Sequence, residues 1–146
     1  YIPGLLTFRE APILLQAFRK IKIYPDVVLF DGQGIAHPRR FGLASHMGLL
    51  LDLPAVGCAK TLLIGKAGPV GKKAGSFSYL QNNGEVIGAV LRTRSNIKPV
   101  FISPGHKITL DECINIVLKC IHHYRLPEPT RQAHILVNKF RMDDPL

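Results

Sequence analysis

The chain has 146 residues, 13 of them Gly and 11 Pro, and carries 19 Lys and Arg against 10 Asp and Glu, a balance of +9. That length suits one domain able to bury roughly 70% of its unfolded surface, and the composition excludes a collagen, a coiled coil or a long disordered tail as a description of the whole. Neither a run approaching the ~18 apolar residues of a membrane span nor a signal peptide is expected, and the positive excess points to a polyanion such as nucleic acid, a merely basic domain being the alternative.

The opening Tyr1-Ile2-Pro3-Gly4 is a stiff extended step before a permissive glycine, and so abrupt a start reads as a cut through a longer chain. A helix follows, with Leu14, Leu15, Phe18 and Ile21 on one face. Two starts are open for it. Thr7 with Glu10 forms a capping box, whereas Pro12 suits the first helical position; in both, Glu10 stands at the N-terminal end. Residues 27–30 read as a strand buried on both faces, ending in Asp31-Gly32-Gln33-Gly34. A second helix is expected from about 41 to 51, with Leu43, Met47, Leu50 and Leu51 as its stripe and Pro54 as its stop. Strand 55–59 then ends in Lys60.

Residues 65–75 form a basic, glycine-rich loop. Strands 77–80 and 86–92 are joined around Asn82-Asn83-Gly84, a hairpin signal, and strand 100–103 is closed by Pro104-Gly105. Thr109 and Glu112 repeat the capping-box pattern before a helix whose stripe is Cys113, Ile116, Val117, Cys120 and Ile121, both cysteines reading as core. A two-proline linker, 126–129, precedes a last helix capped by Thr130 and bearing Ala133, Val137 and Phe140. The order fits a mixed α/β sheet. Three cysteines with no Cys-x-x-Cys spacing argue against a disulfide framework or a cysteine zinc site and for a reducing, cytoplasmic setting.

Of the acidic residues before position 110, Asp31 alone lies directly at the C-terminal end of a buried-looking strand, where open α/β sheets bind ligands. A carboxylate there beside glycines suits Mg²⁺, which takes one or two carboxylates, waters and substrate phosphates; a turn aspartate capping its own loop is the other reading. Glu10 carries the capping-box alternative, and His134 that of an ordinary helix residue. Lys60 ends a strand at the same edge and is placed to neutralise a phosphate. Arg39 and Arg40, after His37 and Pro38, have the chemistry of phosphate clamps or of a solvated basic turn. Lys66, Lys72 and Lys73 suit tracking a phosphate backbone, or plain solvation.

The segments Tyr1-Ile2-Pro3-Gly4, Phe8-Arg9-Glu10, Asp31-Gly32-Gln33-Gly34, His37-Pro38-Arg39-Arg40, Gly57-Cys58-Ala59-Lys60, Ser103-Pro104-Gly105-His106 and Pro127-Glu128-Pro129-Thr130-Arg131 resemble, in order, those of endonuclease V, in a bacterial or archaeal form. The resemblance implies a ribonuclease-H-like α/β sheet lacking its first strands, in one N-terminally truncated domain over 1–146. It implies nicking of DNA or RNA at the second phosphodiester bond 3′ to hypoxanthine with Mg²⁺ or Mn²⁺, by a monomer in the full-length family. By the same likeness Glu10 and Asp31 are metal ligands, and Lys60 and His134 join them as catalytic. Tyr1-Ile2-Pro3 is the wedge filling the gap of a flipped base, Gly32-Gln33-Gly34 supplies backbone groups to the base pocket, and His37, Arg39 and Arg40 contact the substrate. A further metal-binding aspartate of the family would precede Tyr1. Two rivals remain: a chain that binds nucleic acid without cutting, and a metal nuclease without lesion preference.

Overall fold

A computed structural model describes residues 6–143. The elements run α1 (Leu6–Phe18), β1 (Val28–Phe30), α2 (Leu43–Leu51), β2 (Ala55–Ala59), β3 (Lys66–Ala67), β4 (Phe77–Asn82), β5 (Glu85–Leu91), β6 (Val100–His106), α3 (Leu110–Lys119) and α4 (Glu128–Asp143). The strands form one mixed sheet in the order β1-β2-β6-β5-β4-β3, with β1 and β2 parallel and the other pairs antiparallel. This is the α/β, ribonuclease-H-like architecture.

Alternation along the strands divides the core between the two faces. Val56, Cys58, Ala89, Leu91, Val100 and Ile102 point to one face, where Cys113, Ile114 and Val117 of α3 cover them. Phe30 and Ala55 point to the other, against Ala11 of α1 and Leu43, Ala44 and Met47 of α2. Ala36 closes a third cluster over Leu80, Ile87 and Val90.

Local rules succeed where the signal closes within three or four residues. Thr109 and Glu112 make the full capping box, each side chain bonded to the other residue's amide. Asn83 and Gly84 take φ values of 53° and 80°, the left-handed pair of a tight hairpin turn. Several expectations are corrected. Helix α1 is already formed at Leu6, so Thr7 and Glu10 lie inside it rather than at a cap, and Pro12 is interior. Buried Thr7 and Ala11 hold that helix on the core despite the hydrogen bond Pro12 removes. Ile21 lies beyond its end. β1 is half-buried rather than buried on both faces, and Leu50 of α2 is exposed. β6 runs through Pro104-Gly105 instead of stopping there. Pro104 falls where the register with β2 shifts, a place where a missing amide is tolerated.

Helix α4 begins at Glu128, so Thr130 is its third residue, bonded to the Pro127 carbonyl, and Val137 and Phe140 are exposed. The Glu128 carboxyl is drawn down to about 2, first by hydrogen bonds from Arg131 and then by Gln132. A depressed carboxyl contributes stability above its ordinary value of 4.5, and that contribution disappears as pH falls toward 2. Amide protection in the first turn of α4, relative to intrinsic exchange at each pH, is therefore expected to fall across that window. A Glu128 midpoint near 4.5 by NMR titration would contradict the pairing.

Candidate active site

The site begins where β1 stops. Asp31 follows Phe30 at the strand's C-terminal end, and the parallel neighbour β2 delivers Lys60 to the same end, with Phe30 opposite Gly57. Asp31 Oδ2 accepts a hydrogen bond from Lys60 Nζ at 2.8 Å, both side chains remaining partly open to solvent. Beside the pair lies a cavity of about 360 Å³, whose walls include Thr7, Asp31, Gln33, His37, Leu43 and Lys60.

Glu10 approaches from α1. Its carboxyl is raised above the ordinary value, first by burial and then by the negative charge of Asp31. Asp31 already has Lys60 as a positive neighbour, whereas Glu10 has no ion-pair partner among the described residues, so a cation beside the two carboxylates would still find negative charge to neutralise. Asp31 and Glu10 offer the carboxylate oxygens that a Mg²⁺-type ion takes and would be the residues to hold one. No group of three or more His, Cys, Asp or Glu side chains suited to a metal occurs among the described residues. Cys58, on β2, is buried with its thiol pushed up to about 12, chiefly by burial and then by Asp31, so it is no nucleophile.

The turn after Asp31 lies flat on the sheet. A Cβ on Gly34 would sit 2.0 Å from the Pro104 carbonyl oxygen, and one on Gly57 would sit 2.5 Å from the Gly34 nitrogen. The turn's backbone is also engaged. Gly32 N donates to Phe30 O at 2.9 Å, and Gly34 N donates to Ser103 Oγ at 2.8 Å. The Gln33 and Gly34 carbonyls accept the amides of Ala44 and Gly42, satisfying the start of α2, whose N-cap, Gly42, has no side chain to do so. The amides of Gly32 and Gly34 thus hold the turn itself in place. Gln33 is buried and donates from Nε2 to the Thr61 carbonyl at 3.2 Å, tying the turn to the segment after Lys60.

The model of the Endonuclease V family matches residues 1–135. Endonuclease V of Dictyoglomus turgidum is 56% identical over 135 residues, 92% of this chain and 59% of that protein. The chain belongs to the endonuclease V family. Endonuclease V of Methanothrix thermoacetophila is 60% identical over 93% of the chain and 60% of its own length, so the chain spans only about three fifths of these relatives. Among solved structures, endonuclease V of Streptomyces avermitilis superposes with a TM-score of 0.93 at 42% identity, covering 98% of this chain and 63% of that one. A Ciona intestinalis endonuclease V, in complex with a 23mer DNA containing an inosine followed by a ribo-adenosine, gives 0.85 at 30% identity, covering 98% and 67%.

The endonuclease V motifs do not all meet in space. Asp31 and Lys60 meet, Glu10 on α1 is near enough to Asp31 for that charge to raise its carboxyl, and His37 joins the cavity wall, its Nδ1 accepting the Arg39 amide at 3.2 Å. His134 is exposed on the second turn of α4, a helix that packs against β1, and does not line the cavity. Arg39 is exposed. Arg40, expected as a phosphate clamp, is instead bound to Glu85 Oε2 at 3.0 Å and Asn82 Oδ1 at 3.0 Å, which ties it to the β4–β5 turn at the other end of the sheet. Tyr1, Ile2 and Pro3 lie outside the described residues. Arg125 was missed: its Nη2 donates to the carbonyls of Lys60 at 2.9 Å and Pro99 at 2.7 Å, anchoring the lysine's backbone. Ser103, quoted above within a motif, was given no role, and its part is to accept the Gly34 amide. A lone arginine in a linker and a serine in a strand carry no local signal of such partners.

Proposed function

We propose that the chain carries the reactive centre of a metal-dependent endonuclease that hydrolyses DNA or RNA at the second phosphodiester bond 3′ to hypoxanthine. The observation that supports this reading is the Asp31–Lys60 pair at the shared C-terminal end of β1 and β2, beside a cavity, with Glu10 of α1 near enough to Asp31 for that charge to raise its carboxyl. The Ciona complex with inosine-containing DNA supports the substrate class. Asp31 and Glu10 would hold Mg²⁺ or Mn²⁺, which when bound would supply water activation and charge neutralisation at the phosphate. Lys60 neutralises charge growing on the phosphate oxygens, and its bond to Asp31 keeps the ammonium at the strand end. His134 would hold or pass a proton at the site. A purine flipped from its stack enters the cavity, and Tyr1 stacks in the gap it leaves, recovering ~1–3 kcal/mol of the unstacking cost. Arg39 steadies the backbone without reading sequence. The free thiols suit a reducing, cytoplasmic setting.

The test compares Mg²⁺-dependent nicking of matched strands holding inosine or adenosine, with and without chelator. Preferential, chelator-sensitive nicking beside inosine is expected; equal cutting of the two strands removes the lesion-specific part. Tyr1→Ala is expected to lower the inosine preference more than general binding, and equal losses on both strands refute the wedge role. A second reading, binding without cutting, is favoured by the lack of a third metal-ligating side chain among the described residues. It predicts a gel shift on inosine strands in chelator and no nick in Mg²⁺.

A further inference from the structure

Between Asp52 and Asp111 the sequence holds eight lysines and arginines and a single carboxylate, Glu85. At the far end of the sheet that one carboxylate is taken up by Arg40, and of the eight cations Lys107 is spent there on Asp52. The register gathers others near the active site. Phe30, Ala59, Val100, Leu91 and Phe77 share one end of the sheet. The loops at 68–76 and 92–99 therefore leave the sheet at the same end as Asp31 and Lys60. They carry Lys72, Lys73, Arg94 and Lys98, all exposed and, among the described residues, in no ion pair.

These loops are joined to each other. Arg92 donates from Nε to the Gly71 carbonyl at 2.6 Å, from Nη2 to Val70 at 3.3 Å, and from Nη1 to Ile97. Gly75 N bonds Arg92 O, Asn96 N bonds Lys72 O, and Ala74 N bonds Ser95 Oγ. A glycine-rich loop held at this many points presents its lysines without a further cost for ordering the backbone on binding. From β1 to β4 there are four strand spacings of ~4.8 Å, about 19 Å, which matches roughly five or six phosphates of one duplex strand at ~3.4 Å each.

We propose that loops 68–76 and 92–99 form one preassembled cationic ledge that holds the phosphate backbone on a single flank of the cleavage site. The proposal rests on the nucleic-acid reading of the Asp31–Lys60 site. An exclusively positive surface beside a phosphodiester-cutting centre suits a phosphate backbone, and such contacts fix position without reading bases.

The test uses the whole chain with Lys72, Lys73, Arg94 and Lys98 all changed to Gln, leaving Arg92 and the site intact. Binding to inosine and adenosine strands is measured against NaCl concentration. Each lost phosphate contact lowers the slope of log affinity against log salt by about 0.7–0.9, so a fall of about 3 is expected. Affinity for both strands should drop at least tenfold and equally, with the inosine preference unchanged. A second measurement needs no variant: trimming about six nucleotides from one flank should weaken wild-type binding as much as the four substitutions do, and trimming the other flank should not. An unchanged slope, a loss confined to the inosine strand, or symmetric flank dependence overturns the ledge while leaving the active-site reading standing. Weaker heparin retention with unchanged oligonucleotide binding also overturns it, assigning the ledge to another polyanion. Wild-type protein that binds neither strand overturns the underlying nucleic-acid reading itself.

Discussion

Asp31→Asn is expected to abolish nicking of an inosine-containing strand, with a loss of at least about a thousandfold, or ~4 kcal/mol of transition-state stabilisation. The substitution keeps the size of the side chain and removes the charge that a divalent cation needs. It also frees Lys60 and relieves Glu10 of a like charge. Strand binding in chelator should therefore be retained or slightly tightened, because a negative group leaves a surface facing phosphate. Mn²⁺ binding, read by its relaxation of solvent water, should weaken together with nicking. A variant that nicks within tenfold of wild type, or binds Mn²⁺ as well, removes Asp31 from the metal site. A parallel loss of strand affinity would assign it to substrate binding instead.

Gly34→Ala is expected to destabilise the fold while Gly32→Ala leaves it nearly unchanged, although both glycines belong to one turn. At Gly34 the new methyl would meet the Pro104 carbonyl oxygen at 2.0 Å and its carbon at 2.5 Å, and neither backbone atom can swing away. At Gly32 the nearest atoms are side-chain carbons of Leu43 at 3.5 Å, an ordinary contact. Forced overpacking costs about 1–3 kcal/mol or more, which for a chain of this size lowers the melting temperature by roughly 3–12 °C. The turn would lift from β2 and β6, breaking the bond from Gly34 N to Ser103 Oγ and shifting the cavity wall at Gln33. Equal melting temperatures for the two variants would show that the turn does not depend on this approach. A stable Gly34→Ala protein with lost inosine preference would return the glycine to a ligand-contacting role.

The contrast between these glycines shows where sequence reading stops. Gly32 and Gly34 look alike in Asp31-Gly32-Gln33-Gly34, and the likeness to endonuclease V assigns both to a base pocket. What separates them is Pro104, seventy residues along the chain. Arg40 behaves in the same way. Beside Arg39 it has the chemistry of a phosphate clamp, yet Glu85, 45 residues away, captures it. Lys60 was legible as a strand-end lysine, whereas Arg125, 65 residues on and holding its carbonyl, was not.

By itself the sequence determined whatever closes over a few residues: the Thr109–Glu112 cap, the Asn83-Gly84 turn, a strand ending in Asp31 and another ending in Lys60. Steric and hydrogen-bonding rules over three or four residues leave little choice at such places. The tertiary structure decided which ends share an edge, which glycine must stay bare, which arginine is spent, and how two basic loops become one surface. Those outcomes depend on strand order and register, and residues far apart in the chain meet only once the sheet has assembled.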